Sequence, residues 1–305
     1  MDATRARPGS DPVVWSSIVC FHPDPAALAA LVTALAPQVA RVVVIDNSPG
    51  EPALDPATLG GAMHVRMPSN TGTAGGLNEA WRRALAAGAT HLVSFDQDSR
   101  PDSELVRCLL EEFAAAGPGL AAIGPVWRDS RSGVALRVLR PVRFVRRHVA
   151  APPAGRVEVD HIITSGCLTS AQAFRQVGPF DDALFLDYVD VEWSLRARAQ
   201  GLSVAVAAGC RMQHTIGDRV ISIWGRQLSL HQPARSYLQV RNHLLLWRRK
   251  WIPRGWLLSD LFQVVFKLGA LFLLAPLRRQ RLRCVIAGIR DGLRGRSGPI
   301  PAGTP

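Results

Sequence analysis

Apolar positions in the first two hundred residues switch between two periods. Val13–Cys20 is a short, mostly apolar run that leads into His22-Pro23-Asp24-Pro25. It predicts a strand and a loop, with Asp24 capping the next helix and Pro25 in its first turn. Leu28, Leu31, Val32 and Leu35 then recur at helical spacing, and Pro37 ends that helix. Arg41–Ile45 is a compact β-branched run of the kind that forms a parallel strand buried on both faces. Asp46–Gly50 follows as a loop. Asn70–Gly76 opens a helix with Leu77, Trp81, Ala84 and Leu85 on one face and Gly88 at its end. His91–Phe95 reads as the next strand and Asp102–Ala116 as a further helix. This alternation predicts an α/β domain on a mostly parallel sheet, Rossmann-like, with helices on its faces. Ligands of such sheets bind beyond the carboxyl ends of the strands. Asp46 and the pair Asp96/Asp98 fall at that edge.

The pattern is less regular downstream. Residues 127–149 contain seven Arg and read as an insertion or loop with some strand. Val157–Ile163 is a candidate strand. A helix is expected from about Asp190 to Gln200, closed by Gly201, and then a strand over Ser203–Ala207, with His214 shortly after. Leu257–Ala275 is strongly apolar, yet Asp260, Gln263 and Lys267 lie on one helical face. That pattern predicts an amphipathic helix rather than a lipid-embedded span. No apolar, uncharged run reaches the 18 residues expected of a simple spanning helix.

Composition places limits on these elements. The chain has 305 residues, 48% apolar and 20% charged, which excludes a disordered chain and allows one large or two small domains. The formal charge of +12 by itself suggests nucleic acid or an anionic membrane as partner. The charge is uneven, however. Residues 219–305 hold 16 Lys+Arg and 2 Asp+Glu, a net +14, whereas residues 1–218 carry −2. The division predicts a near-neutral catalytic or binding domain over 1–218 and a basic helical region over 219–305 that contains four of the eight Trp. The cations sit beside Leu, Phe and Trp runs and no nucleic-acid-binding motif accompanies them, which argues against nucleic acid. Five Cys with no C-x-x-C pair make a disulfide framework or zinc knuckle unexpected and fit a reducing cytosol. Met1–Val14 lacks the apolar run of a secretory signal.

Four segments have chemical potential. Asp96-Gln97-Asp98 follows a strand, and two carboxylates one residue apart suit Mg²⁺ or Mn²⁺, but a solvated turn has the same sequence. Asn70–Asn78 is glycine-rich at a helix start. It offers backbone N–H groups to an anion, or it is a flexible connection; it matches neither the dinucleotide nor the Walker spacing. Asp187, Asp190 and Glu192 lie within six residues beside Phe185, Leu186 and Trp193. They form either a site for a general base or an acidic helix start favoured by the macrodipole. His22 and His214 are lone histidines, which are more often structural than ligands.

In order along the chain, IDNSP (45–49), NTGTAGGLNEA (70–80), FDQDS (95–99), ITSG (163–166), VGPFD (177–181), LFLDYVDVEWSLRA (184–197) and QHTIGD (213–218) resemble the family-2 inverting glycosyltransferases of GT-A fold. The nearest resemblance is to bacterial rhamnosyltransferases that use dTDP-L-rhamnose, and within them to the enzymes that add the second rhamnose of a rhamnolipid. It extends over about residues 13–298. It implies that Asp46 contacts the nucleotide base, and that Asn70, Gly72, Gly75, Asn78 and Asp96 line the nucleotide-sugar. Asp98 would be the primary metal ligand, His214 would complete the metal site, and Asp190 would be the catalytic base. Asp187, Glu192 and Trp193 would hold sugar hydroxyls, with Tyr237, Arg241 and Asn242 near the acceptor. His22 stands where many relatives have Asn, which puts its nucleotide contact in doubt.

The resemblance further implies a divalent cofactor, Mg²⁺ or Mn²⁺, and an amphiphilic acceptor. That acceptor is a mono-rhamnolipid, or alternatively a lipid-linked glycan of a surface polysaccharide such as O-antigen. The basic tail would hold the enzyme peripherally at the cytoplasmic face of the inner membrane. An ordinary Asp, with pKa near ~3.9, is a poor base for a hydroxyl, so proton transfer is expected late in the displacement.

Overall fold

The computed structural model describes residues 11–50, 54–129, 138–140, 147–149, 155–214, 219–223, 226–230, 232–274 and 276–304. For residues 128–129, 138–140, 147–149, 213–214, 219–223 and 226–230 only the backbone is described. The elements in chain order are β1 (Val14–Cys20), α1 (Pro25–Leu35), β2 (Arg41–Asp46), β3 (Met63–Arg66), α2 (Gly72–Ala86), β4 (His91–Asp96), β5 (Arg100–Pro101) and α3 (Leu105–Ala116). There follow β6 (Leu120–Asp129), β7 (Val138–Arg140), β8 (Arg147–Val149), β9 (Arg156–Glu158), β10 (Cys167–Ser170), α4 (Ala171–Val177), α5 (Val189–Ala199) and β11 (Ser203–His214). The chain closes with β12 (Arg219–Ile223), β13 (Arg226–Leu230), α6 (Pro233–Leu246), α7 (Arg254–Leu274) and α8 (Arg278–Arg294).

A nine-stranded mixed sheet runs in the order β3-β2-β1-β4-β10-β6-β11-β5, with β9 also on β11. β3, β2, β1 and β4 are parallel, while β10 is antiparallel to both of its neighbours. The sheet buries both faces because its strands alternate side chains between two cores. Trp15, Val43 and Ile45 pack with Trp81, Ala84 and Trp193 on one side. Ile18, Val42 and Val44 pack with Leu28, Leu35, Leu105 and Leu109 on the other. Asp24 caps α1 through its Oδ1, which accepts from the Ala27 amide at 2.8 Å.

The helices and strands expected up to residue 116 are present. Of Val157–Ile163, only the first residues join the sheet, as part of β9. β3, β10 and α6 emerge only in the fold, whereas in α8 Leu282, Val285, Ile286, Ile289 and Leu293 recur at helical spacing.

The step in charge at residue 219 is not a step in packing. Leu245, Leu246, Ile252, Trp256 and Leu257 form one apolar cluster with Ala74 and Leu77 of α2 and Val189, Val191 and Leu195 of α5. α8 lies close against α6 because its contact stripe is small. A Cβ on Gly288 would come 2.6 Å from the Tyr237 carbonyl oxygen.

α7 inverts the expected amphipathic arrangement. Asp260 on its polar face is buried, whereas Leu258, Phe262, Val265 and Leu273 point outward. It is 21 residues long and contains an 18-residue stretch of mean hydropathy 1.8, long and apolar enough to cross a membrane by length and composition, with 17% of that stretch buried. The charges at 260 and 267 had argued against that in sequence, but their shared face is the one turned inward or half-covered.

Cysteine usage also departs from expectation. Cys108 of α3 and Cys210 of β11 form a disulfide with Cα atoms 5.6 Å apart, and Cys20, Cys167 and Cys284 are free. The two partners are 102 residues apart, too far for spacing to reveal the pairing. Closing so long a loop restricts the unfolded chain. Thiol titration of the denatured, unreduced protein should therefore find three thiols, rising to five after reduction. Cys210→Ser should lower stability by about 2–5 kcal/mol in urea.

Candidate active site

The parallel strands bring two of the acidic positions to one edge. Cys20 at the end of β1 pairs with Asp46, and Val19 pairs with Asp96, so the two carboxylates flank the carboxyl end of β1. Asp46 is buried and accepts from the Ser48 amide at 2.9 Å, with His64 Nε2 3.6 Å from its other oxygen. The loop after β1 is tied to the same edge. The Phe21 amide donates to Gln97 Oε1 at 2.8 Å and the His22 amide to Ser48 Oγ at 2.8 Å. The segment 163–166 closes the edge from the other side, where Ser165 Oγ lies 2.5 Å from Ser99 Oγ.

Asp190 lies in the first turn of α5, half-buried, with its Oδ1 accepting from the Val191 amide at 2.8 Å. Burial above all, and then the carboxylates of Asp96 and Asp187, raise its pKa to about 6, against the lowering effect of the Val191 amide. The segment is an acidic helix start, and the Asp190 carboxyl within it is shifted upward. Arg235 stands over the cluster. Its guanidinium binds Asp187 through Nη2 at 2.8 Å and Nε at 3.0 Å, and it interacts electrostatically with Asp96 and Asp190. Arg235 was not legible as a site residue, since it is one of sixteen cations in the basic tail.

The loop that delivers Asp190 is held in an unusual backbone conformation. Phe185, Asp187 and Tyr188 have φ of 63°, 58° and 65°, in the left-handed region where each non-glycine residue costs about 1–3 kcal/mol. Asn242 counters that cost. Its Nδ2 donates to the carbonyls of Leu184 (2.8 Å), Leu186 (2.6 Å) and Asp187 (2.9 Å). Its Oδ1 is oriented by Arg241, which also donates to the carbonyls of Leu184 and Gly298. Both residues are fully buried. The expected acceptor contacts of Arg241 and Asn242 are therefore replaced by a loop-holding role, and Tyr237, buried on Asp291, is likewise turned from the cleft.

Other expected contacts are corrected in the same way. Glu192 is fully buried, accepting from Arg196 Nε and Nη2 at 3.0 Å each and from the Trp251 indole at 2.9 Å. Trp193 belongs to the sheet core and donates to the Gly178 carbonyl. Asn78 clamps the 180 loop, bonding both the amide and the carbonyl of Phe180 and also Asp182. Among the glycines, Gly72 has φ +69°, and a Cβ there would lie 2.2 Å from the Phe185 carbonyl oxygen. That carbonyl also accepts from the Ala74 amide, so the start of α2 receives the loop rather than standing open. A Cβ on Gly75 would collide with Thr71 at 2.5 Å. Asn70 Oδ1 accepts from the Gly72 amide at 2.9 Å. Asn47, absent from the sequence reading, ties the loop after β2 to this segment through Gly72 and Thr71.

A divalent cation suits the donors at 96–98. Asp98 is exposed and Asp96 half-buried at the strand end, and hard cations take such oxygens together with phosphate. The register that pairs Met212 with Pro101 and Gln213 with Arg100 carries the backbone of His214 alongside the same turn. The His214 side chain lies outside the described residues. Among the described residues no three His, Cys, Asp or Glu side chains converge.

One test of this scaffold is Asn242→Asp, which keeps the shape but replaces the donor with an anionic oxygen facing three carbonyls. It should cost about 3 kcal/mol or more in urea unfolding, because each buried unpaired group costs about 1–3 kcal/mol.

No protein-family profile matches the chain. Among solved structures it is similar to Staphylococcus aureus TarS, with TM-score 0.57 and 11% identity over 95% of this chain, which spans half of that one. A shorter TarS structure bound to UDP-GlcNAc gives TM-score 0.55 at 12% identity over 92% of this chain and 81% of that one. GalNAc-T7 with UDP, GalNAc and Mn²⁺ gives 0.56 at 12% identity over 87% and 58%. These likenesses establish the GT-A fold. At the sequence level the chain is 31% identical to dTDP-rhamnosyl transferase RfbF of Shigella flexneri over 291 residues, 93% of this chain and 97% of that protein. That match joins the same fold to rhamnose transfer along nearly the entire length, and the chain belongs to the family-2 rhamnosyltransferases of GT-A fold.

Proposed function

We propose that this glycosyltransferase moves L-rhamnose from dTDP-L-rhamnose to a hydroxyl of an amphiphilic acceptor at the cytoplasmic face of the inner membrane, with Asp190 as general base. The observation that carries the catalytic part is the placement of Asp190. It is a half-buried carboxylate with a raised pKa, within electrostatic reach of Asp96 and Asp187, near the carboxyl edge of the sheet, where ligands of open α/β sheets bind. In this reading Asp46, buried at the end of β2, meets the base, and Asp96, at the end of β4, lines the sugar-phosphate.

Asp98 and His214 are the residues that would hold a Mg²⁺ or Mn²⁺, an ion whose chemistry is to neutralise charge on the leaving diphosphate. Arg235 adds a fixed cation over the same cluster. Asp190 takes the acceptor hydroxyl proton as that oxygen attacks the anomeric carbon. The bond to the diphosphate oxygen breaks, dTDP departs with the electron pair, and the configuration inverts. A carboxylate with pKa about 6 is a better base than an ordinary Asp and is still ionised at neutral pH.

The acceptor class rests on the outer surface of the last two helices. Phe262, Leu273, Leu282 and Leu293 are exposed on α7 and α8, with Arg278, Arg279 and Arg283 beside them. Apolar groups flanked by cations fit an anionic bilayer, at on the order of 1 kcal/mol per cation near the surface. A mono-rhamnolipid and a lipid-linked glycan both fit this description. The deciding assay offers each with dTDP-L-rhamnose and Mg²⁺ or Mn²⁺ and reads the product mass; transfer to neither would remove the amphiphilic acceptor.

Asp190→Asn should lower kcat by about 10²–10⁴-fold while dTDP binding survives. The wild-type kcat should decline as pH falls through about 6, where the base takes up its proton. The same shift has a stability consequence. Because the folded state raises this pKa, the ionised carboxylate costs stability above the ordinary Asp range, in full above about pH 6. Asp190→Asn should thus be more stable than wild type by about 1–3 kcal/mol at pH 7–8, with the gain fading toward pH 4. Co-sedimentation with phosphatidylglycerol vesicles should exceed that with phosphatidylcholine. It should weaken at least tenfold in Arg278→Gln/Arg279→Gln/Arg283→Gln, and equal binding by that variant would remove the electrostatic part of the membrane reading.

A further inference from the structure

Behind the catalytic loop lies a buried polar chain that the proposed chemistry does not use. Tyr188 OH donates to Asp260 Oδ2 at 2.6 Å. The same oxygen is 2.9 Å from His243 Nδ1, and Trp247 Nε1 donates to His243 Nε2 at 3.0 Å. An indole N–H can only donate, so Nε2 is the acceptor and Nδ1 carries the proton toward Asp260. The bonds therefore run in sequence from α6 to a carboxylate on α7 and meet there the hydroxyl of the loop residue. Asp260 and His243 are 5% and 2% exposed. A carboxylate so buried, placed among apolar neighbours on α7, is costly unless its acceptors are filled.

Tyr188 is the point at which this chain meets the active-site helix. It is left-handed at φ 65°, ψ 2°, it precedes α5, and its carbonyl accepts the Glu192 amide at 2.8 Å, the first bond of that helix. No side-chain cap holds this helix start. Asp190 is two residues further on. A tyrosine in this backbone conformation gains nothing locally, and its hydroxyl bond to Asp260 supplies the tether.

We propose that Asp260, held by His243, is a positioning residue that acts through the Tyr188 hydroxyl to fix the start of α5 and hence the direction of the Asp190 carboxylate. The inference rests on the reading of Asp190 as base. It also gives α7 a second role: the helix that presents the exposed apolar face also anchors the catalytic loop from its inner face.

The test compares wild type with Tyr188→Phe, Asp260→Asn, Asp260→Leu and Asp190→Asn, using dTDP-L-rhamnose consumption, dTDP affinity by calorimetry and hydrogen exchange of amides 189–193. Tyr188→Phe and Asp260→Leu should lower kcat about 10–100-fold, the scale of a small misplacement of a reacting group. Donor KM and dTDP affinity should stay within about twofold, and exchange at 189–193 should quicken. Asp260→Asn keeps an acceptor oxygen and should restore most of the turnover lost in Asp260→Leu. Wild-type kcat in Tyr188→Phe, or a parallel loss of dTDP binding, would overturn the proposal. So would unchanged exchange. If instead Asp190→Asn turns over like wild type, the reading of the base fails, and the exchange data still decide whether the hydroxyl anchors the loop.

Discussion

The site depends on one constraint, the left-handed path of residues 185–188. Three non-glycine residues there occupy a region that costs about 1–3 kcal/mol each, a sum comparable to much of a domain's net stability. Such a path persists only when its surroundings leave no alternative. From one side, Asn242 donates to two of its carbonyls, Leu186 and Asp187, and to that of Leu184 just before it. From the other, Gly72 leaves the space that the Phe185 carbonyl fills. Arg235 fixes Asp187, and Asp260 receives the Tyr188 hydroxyl. Three elements distant in sequence, α2, α6 and α7, thus agree on a single loop conformation, and the first turn of α5 inherits its position from it.

This explains why the basic tail cannot be a detachable appendage. α6 contributes Arg235, Asn242 and His243, and α7 contributes Asp260. Both helices also supply apolar residues to the cluster that includes Val189 and Val191. Charge divides the chain at 219, but the core and the catalytic loop run across that division. Five of the cations, Arg278, Arg279, Arg283, Arg290 and Arg294, are exposed on α8, while the inner faces of α6 and α7 belong to the scaffold of the candidate site.

How far the sequence foretold this varied with the kind of residue. Periodicity and short apolar runs located β1, β2 and β4 and the helices α1 to α3, because each has a buried face or core. Asp46, Asp96 and Asp190 were legible as acidic positions at strand ends or helix starts, and the fold does bring Asp96 and Asp190 within electrostatic reach. Direction was not legible. Glu192 and Asp190 differ by two positions on one helix, so they point to different sides; Glu192 is sealed against Arg196 and Trp251, and Asp190 lies within electrostatic reach of Asp96 and Asp187. Asn78, Arg241 and Asn242 looked like ligand-binding groups because they are polar, yet each satisfies backbone groups that the fold would otherwise bury unpaired. Arg235 was hidden for the opposite reason, since an arginine in a basic tail carries no distinguishing signal. The pairing of Cys108 with Cys210 needed the contact of α3 with β11, which no spacing predicts.

The inverted amphipathicity of α7 joins these points. In water, a helix with Asp260, Gln263 and Lys267 on one face would turn that face outward and bury Phe262 and Val265. Here Asp260 is more than nine-tenths buried and Phe262 is 69% exposed. The inward polar face is explained by what it meets: Tyr188 and His243 fill the acceptor sites of Asp260, which an apolar side chain could not offer. The outward apolar face then has to be tolerated or used. Burying about 25 cal/mol per Å² of it against an acyl boundary is a far larger effect than leaving scattered leucines in water. In the membrane reading proposed above, a bilayer would supply that burial for α7 and anions for the neighbouring arginines at once. The polar requirement of the catalytic loop and the apolar surface beside it are thus two consequences of the orientation of a single helix.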